Sequence, residues 1–307
     1  MPGATICDVY GDLPGAGTGH RSVAPAPVDG RDLGGDVLAK LRRQLYETSF
    51  LGMGIMAGPD LARFLSASRG NPRGLLHAGR RVGRHVYDLT TRRRGLQLVN
   101  GTALIGRLLR SALDLGVDVR VSSPVTELLR ADGRVTGVVA TTPQGPLQIT
   151  AARGVVLAAG GFPHDVDRRR ALFPRTPTGV EHWSPAPETA DGAGTTLHES
   201  AGGRLRTDVA SPAAWCPVSL VPYRSGRTGV FPHIMDRAKP GSIGVLSTGR
   251  RFVNEANGYH DYVTAMIEAA PAGESVQAWQ IADAPFMRRF PTRDGQAPAR
   301  PAVPVPA

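Results

Sequence analysis

Cysteine is nearly missing from this chain: two residues, Cys7 and Cys216, among 307. No CxxC pair exists, so neither a zinc cluster nor a disulfide framework is expected, and the setting reads as reducing and hence cytoplasmic. Metal-ligand spacing is also missing among the eight histidines. No apolar run approaches the roughly 18 residues a membrane span needs. The longest, Phe50 to Gly58, is broken by glycines. The N-terminus lacks the basic-then-apolar order of a signal peptide. Lysine is scarce as well, with Lys40 and Lys239 standing against a background of arginine.

The chain does carry 41% hydrophobic residues over a length that suits about two domains, enough to bury a core. Gly 38 and Pro 26 imply many tight turns. Residues 1–30 read as a flexible leader and 291–307 as a disordered Pro-rich tail, because neither shows helix or strand periodicity. The string Gly15-Ala-Gly17-Thr-Gly19 resembles a phosphate loop in composition, yet no apolar strand precedes it and no helix pattern follows. Net charge is +10. From Arg63 to Arg94 nine arginines face one acid, Asp88. Such a cluster can track phosphates. With a single aromatic, Tyr87, inside Arg80 to Tyr87 and no nucleic-acid module alongside, a solvated basic face is the preferred reading.

Periodicity predicts a helix over 36–46 capped by Asp36, and another from Pro59 to about Gly70. Between them, the glycines of Phe50 to Gly58 permit either a packed connection or a substrate-side loop. A third helix is predicted after Thr102, with Leu104, Ile105, Leu108, Leu109, Ala112 and Leu115 on one face. Val117 to Val121 alternates like a strand. A meander follows through Val125 to Leu129, the Asp132-Gly133 turn, Val135 to Ala140 and Leu147 to Ile149. It returns into Val155-Val-Leu-Ala-Ala-Gly-Gly161, which reads as a buried parallel strand ending in small residues. Glycines at such a strand end remove side chains that would block a flat ligand, though close packing of two backbones uses the same residues.

Farther on, Asp191-Gly192-Ala-Gly194 precedes a short helix, Thr195 to Ala201. Its amides suit an electron-rich ligand, and Asp191 suits a sugar hydroxyl; a simply capped surface helix would look alike. Pro240 to Leu246 and Gly249-Arg-Arg-Phe-Val-Asn-Glu255 predict a hairpin, and Val263, Met266 and Ile267 a helix. Arg250, Arg251 and Glu255 read as an ion pair shaping a wall.

These motifs, in this order, resemble the flavoprotein family that joins fumarate reductases to 3-ketosteroid dehydrogenases. The segment ending in Val-Val-Leu-Ala-Ala-Gly-Gly161 is similar to its second flavin element, and Asp191-Gly192 to its Asp-Gly dipeptide. The run Gly249 to Glu255 is similar to its Gly-x-Arg-Phe-x-Asn-Glu signature. The resemblance spans about residues 96 to 268, with weaker likeness back toward Asp29. It implies FAD as cofactor, lined by Val125, Ala159, Gly160, Gly161, Asp191 and Gly192. It also implies an α/β (α+β) fold: a partial, Rossmann-like FAD-binding domain with a β-meander over 31–163, and an inserted substrate cap over 164–290.

Departures matter equally. Family members open with a strand, a Gly-x-Gly-x-x-Gly turn and a helix that hold the FAD pyrophosphate, which residues 1–35 do not supply. Their closing segment over the flavin ring is expected to be missing after Phe290. The chain thus reads as the interior of a larger flavoenzyme, completed by a further segment or partner chain and holding FAD weakly or not at all alone.

The reductase branch carries an arginine after Asn-Glu; here Asn257-Gly-Tyr-His-Asp261 has none. Tyr259 instead matches the tyrosine base of the dehydrogenase branch, although an amphipathic loop anchor would look the same. The implied chemistry oxidises adjacent CH groups beside a ketone, in a steroid-like or other ketone substrate; fumarate-like enoate reduction, or a non-catalytic fragment or subunit, are the alternatives. Tyrosine ionises near about 10 in isolation, so a phenolate base needs a cation or donor nearby, with His260 or an arginine near Arg237 as candidates. His233 and Arg251 would border the substrate, while a lone histidine such as His233 is also an ordinary structural residue.

Overall fold

The computed structural model describes residues 14–15, 25–43, 52–56, 58–223, 226–234 and 237–289. Most of the expected leader, Gly17 and Gly19, Cys7, residues 44–51 and the expected tail lie outside them. The chain divides into two compact units, 1–121 and 122–307.

In the first unit, β1 (Val28–Asp29) leads into α1 (Gly30–Leu33) and α2 (Gly35–Lys40). The second helix is shorter than expected, and Gly34 rather than Asp36 is its N-cap. The Asp36 carboxylate instead accepts from Arg110 at 2.9 Å. α3 (Pro59–Ala67) and α4 (Pro72–Arg92) form a helical hairpin. Asn71 caps α4 by accepting from the amides of Arg73 and Gly74 at 3.0 and 3.1 Å, and Pro72 needs no amide partner at that position. The hairpin is tight enough that a Cβ on Gly74 would lie 2.6 Å from the Ala67 nitrogen. Asp60 of α3 pairs with His77 at 2.7 Å and Arg81 at 3.2 Å, which fixes one α4 face and leaves arginines such as Arg73 and Arg80 on the exposed one.

β2 (Gln97–Leu98) pairs antiparallel with β1, and α5 (Asn100–Asp114) follows. α5 starts two residues before Thr102, with Val99 as N-cap and no side-chain cap. Leu33, Val37, Leu41, Leu98 and Ala103 make this unit's core. Each such side chain contributes roughly 1.5–3 kcal/mol on burial, less for alanine. The predicted strand at Val117 to Val121 does not form. The Val117 amide closes the end of α5 on the Ala112 carbonyl at 3.0 Å, and Lys40 Nζ takes the Val119 carbonyl at 2.6 Å. Those groups are therefore unavailable to a ladder.

The second unit opens with the expected meander: β3 (Val125–Ala131), β4 (Arg134–Thr142) and β5 (Gly145–Thr150), antiparallel with β4 central. Asp132 and Gly133 take φ of 50° and 74°, the two left-handed positions of a tight hairpin turn. Then come α6 (Val166–Leu172), α7 (Ala193–Ser200), and the β6 (Val218–Pro222) and β7 (Thr228–Pro232) hairpin. β8 (Ser242–Val245), α8 (Tyr259–Ala269), β9 (Trp279–Ala282) and α9 (Ala284–Arg289) follow. The expected hairpin at 240–255 shrinks to a Val245–Arg251 bridge, because β8 pairs along its length with β9.

The core here is Trp215, Tyr262 and Val263, with Phe173, Phe252, Met266 and Ile267 packed against it. The rings of Phe173 and Trp215 meet edge to face at 5.0 Å. Residues 155–161 depart most from expectation. They form no strand, and Val156 is 89% exposed. A parallel strand needs bonded neighbours on its edges, and no segment among the described residues pairs with this one. No helix among the described residues is long and apolar enough to cross a membrane.

Candidate active site

Two glycine-bearing segments of the second unit meet. The Gly192 amide donates to the Gly161 carbonyl at 3.3 Å, and the His164 amide to the Ala190 carbonyl at 3.2 Å. Gly192 is buried with φ of 83°, and a Cβ there would lie 2.9 Å from Asp165 Oδ2. Only glycine fits that junction. Asp191 Oδ1 accepts from the Ala193 amide at 3.1 Å while staying exposed, one residue before Gly192, the N-cap of α7. Ala159 packs on the start of α7, where a Cβ on Gly194 would come within 3.0 Å of its own. α7 also lies beside β3, the strand that Val125 opens opposite Ala140, and Arg130 reaches the Ser200 carbonyl at 3.5 Å. Ala159, Gly160, Gly161, Asp191 and Gly192 are thus neighbours, whereas Val125 opens β3 at the end opposite Arg130, where α7 makes its named contact.

This junction fits a flat group on one physical test. Gly160 and Gly161 are exposed; a Cβ added to Gly160 meets nothing within 4 Å, and one on Gly161 meets only Pro163 Cδ at 3.8 Å. The bare backbone therefore presents an open strip that any larger side chain would cover.

Of the remaining sequence candidates, Tyr259 and His260 open α8, and His233 and Arg251 precede it in the chain. Tyr259 is its first residue and is 43% exposed. His260 Nδ1 accepts from the Trp215 amide at 3.1 Å. With Nδ1 accepting, the tautomer carries its ring proton on Nε2, which leaves that nitrogen as a donor. His233 meets Ser219 Oγ at 2.7 Å, and its amide donates to the Pro217 carbonyl at 2.8 Å. His233 and His260 therefore brace the same segment, 215–219.

Arg251 donates through Nε to Glu255 Oε1 at 3.0 Å, and that oxygen also accepts from the Gly244 amide at 2.9 Å. Burial would raise the Glu255 pKa, but these hydrogen bonds outweigh it and hold the carboxyl below its usual range. The bond to Glu255 raises Arg251 in turn. Arg251 is more than half exposed, with its fork committed to Glu255. Sequence reasoning passed over the role of Arg237. This buried side chain bonds the carbonyls of Glu255 and Asn257 and lies 4.9 Å from the Tyr262 ring centroid. Nothing in its local sequence marks it, since its partners lie far along the chain.

The sequence profile of the FAD binding domain family matches residues 10–297. The chain is 36% identical to 4-oxocyclohex-2-ene-1-carboxylate 5-dehydrogenase of Sinomonas cyclohexanicum, over 92% of this chain and 48% of that protein. It is 32% identical to a 3-oxosteroid 1-dehydrogenase of Mycobacterium tuberculosis, over 92% of this chain and 49% of that protein. Among solved structures, it resembles 3-ketosteroid delta1-dehydrogenase from Sterolibacterium denitrificans in complex with 1,4-androstadiene-3,17-dione. That likeness has a TM-score of 0.71 and 28% identity, covering 94% of this chain and 53% of the other. The chain spans about half the length of the curated relatives it matches. The cofactor of this fold is FAD. With its mixed helix and sheet architecture and a profile match over nearly its whole length, the chain belongs to the FAD binding domain family.

Proposed function

We propose that this chain carries the flavin-facing and substrate-facing parts of a dehydrogenase that oxidises a CH–CH bond beside a ring ketone. The observation that carries the reading is the Gly161–Gly192 junction, which unites the two glycine motifs beside an open backbone strip. Residues 31–163 belong to the flavin side and 164–290 to the substrate side. A monocyclic oxo-acid and a steroid share the chemistry required, a ring ketone with hydrogens on the adjacent carbons. The scarcity of cysteine supports a cytoplasmic setting.

In this reading Ala159, Gly160, Gly161 and Gly192 offer backbone to FAD, Asp191 a carboxylate oxygen, and Val125 the flanking strand. Bound FAD supplies acceptance of hydride from the carbon β to the ketone. Tyr259 removes the α-proton through its phenol oxygen. His260, fixed by the Trp215 amide, contributes an Nε2 hydrogen-bond donor beside it. Arg251 and His233 border the substrate. The absence of arginine from Asn257 to Asp261 favours oxidation over reduction of the same bond.

The test is a visible spectrum of the purified chain titrated with FAD, followed by anaerobic addition of a cyclic ketone. Bleaching of the bound flavin by the ketone, lost in Tyr259→Phe with the flavin band intact, is the expected result. Equal bleaching rates in Tyr259→Phe would remove Tyr259 as the base, and no flavin band at any FAD concentration would remove the chain from catalysis on its own.

A further inference from the structure

We propose that Arg237 is the positioning residue of this site: its guanidinium grips the turn that delivers Tyr259. The inference rests on the reading of Tyr259 as the base. One terminal nitrogen of Arg237 donates to the Glu255 carbonyl and the other to the Asn257 carbonyl, the latter at 2.8 Å. The same turn is closed from within. Asn254 Oδ1 accepts from the Ala256 amide at 3.0 Å, and the Asn254 carbonyl from the Asn257 amide at 3.0 Å. The Glu255 side chain anchors it from a third direction through Gly244 and Arg251.

Arg237 is 4% exposed and lies 4.9 Å from the centroid of Tyr262, one turn into α8. A single cation therefore touches both the turn before Tyr259 and the helix after it. Gly258, at φ −53° and ψ 150°, is the only residue between the grip and Tyr259, and it offers α8 no side-chain cap. Gly258 has no Cβ to restrict it, so the bearing of Tyr259 depends on the two held carbonyls. Planar, two-pronged donation is a property of arginine that lysine does not share. In this role Arg237 acts on the backbone and on the Tyr262 ring.

The experiment compares the full chain with Arg237→Lys and with Arg237→Ala plus or minus added guanidinium. Its readouts are amide hydrogen exchange and the fluorine resonance of Tyr259 in chain labelled with 3-fluorotyrosine, assigned with Tyr259→Phe. Expected in Arg237→Lys is exchange about tenfold or more faster at residues 256–260, with the β3–β5 meander unchanged. The Tyr259 resonance should shift or broaden, and guanidinium should restore both features in Arg237→Ala. Unchanged exchange and resonance in Arg237→Lys would overturn the proposal. So would faster exchange spread equally through the meander, or failure of both variants to fold, since Arg237 would then support the unit as a whole. Neither readout involves proton abstraction, so a failure here is distinct from a failure of Tyr259 as base, which the ketone titration of Tyr259→Phe detects.

Discussion

The Gly192 amide donates to the Gly161 carbonyl at 3.3 Å, and this bond joins a glycine pair that ends an apolar run to the glycine that starts α7. One segment offers an open strip of backbone and the other a helix start. Separately they are a loop end and a capped helix; joined, they form a surface against which a flat group can rest.

Covering that strip is expected to block the flavin without harming the fold. Gly161→Leu places a side chain where only Pro163 Cδ stands near, at 3.8 Å. FAD titration followed by fluorescence should show at least about a tenfold weaker Kd, a loss of roughly 1.4 kcal/mol, with the thermal transition little changed. Equal affinity for FAD would place the flavin elsewhere.

Two glycines of the same site are expected to differ in what alanine does to them. Gly160, with φ of 87°, has nothing within 4 Å of an added Cβ, whereas Gly192 would press its Cβ on Asp165 and on Phe162 at 3.1 Å. Gly160→Ala should therefore cost about 1 kcal/mol for the backbone alone, and Gly192→Ala about 2 kcal/mol or more. Urea denaturation of both variants checks the order, and a smaller loss at Gly192 would contradict the packed junction.

In the first unit Asp88 is 1% exposed, pairs with Arg31 and accepts from the Leu96 amide at 3.2 Å. It ties α4 to both neighbouring segments. Because Arg31 is 41% exposed, the penalty for breaking the pair falls below that of a fully buried one. Asp88→Asn should lose about 1–3 kcal/mol in chemical denaturation, and Asp88→Ala more, since it also orphans the Leu96 amide. A loss under about 0.5 kcal/mol for Asp88→Ala would show that the tie is dispensable.

Acid should remove one contribution selectively. Burial would raise the Glu181 pKa, but hydrogen bonds from the Thr178 hydroxyl and amide, at 2.6 and 2.9 Å, outweigh it and lower the pKa from 4.5 to about 2. A group held below its unfolded value stabilises the native state above that value and loses the contribution as pH falls through the folded one. The gap in Tm between the wild-type chain and Glu181→Gln should thus be constant above pH 4.5 and close between 4.5 and about 2. A gap that does not change over that window would contradict the assignment.

Much of the local structure was legible in the sequence. Asp132-Gly133 turned as its residue types require, the meander followed, and Val263, Met266 and Ile267 marked the buried side of α8. The shortfalls share a cause. Val155 to Gly161 and Val117 to Val121 have the composition of strands, but a strand exists only where another segment accepts its hydrogen bonds. Val117 and Val119 spend those groups on Ala112 and Lys40 instead.

The sequence by itself determined the Asp132-Gly133 turn, the meander and the inventory of reactive residues, because each depends on neighbours within a few positions. The caps did not follow, since Gly34 and Val99 took the places expected of Asp36 and Thr102, and Leu104, Ile105 and Leu108 of the expected apolar face of α5 are exposed. Only the tertiary structure decided that Gly161 meets Gly192, that β8 pairs with β9, and that Arg237 bonds the carbonyls of Glu255 and Asn257. Those outcomes rest on groups far apart along the chain, whose pairing is set by which buried polar atoms find partners once the two cores have formed.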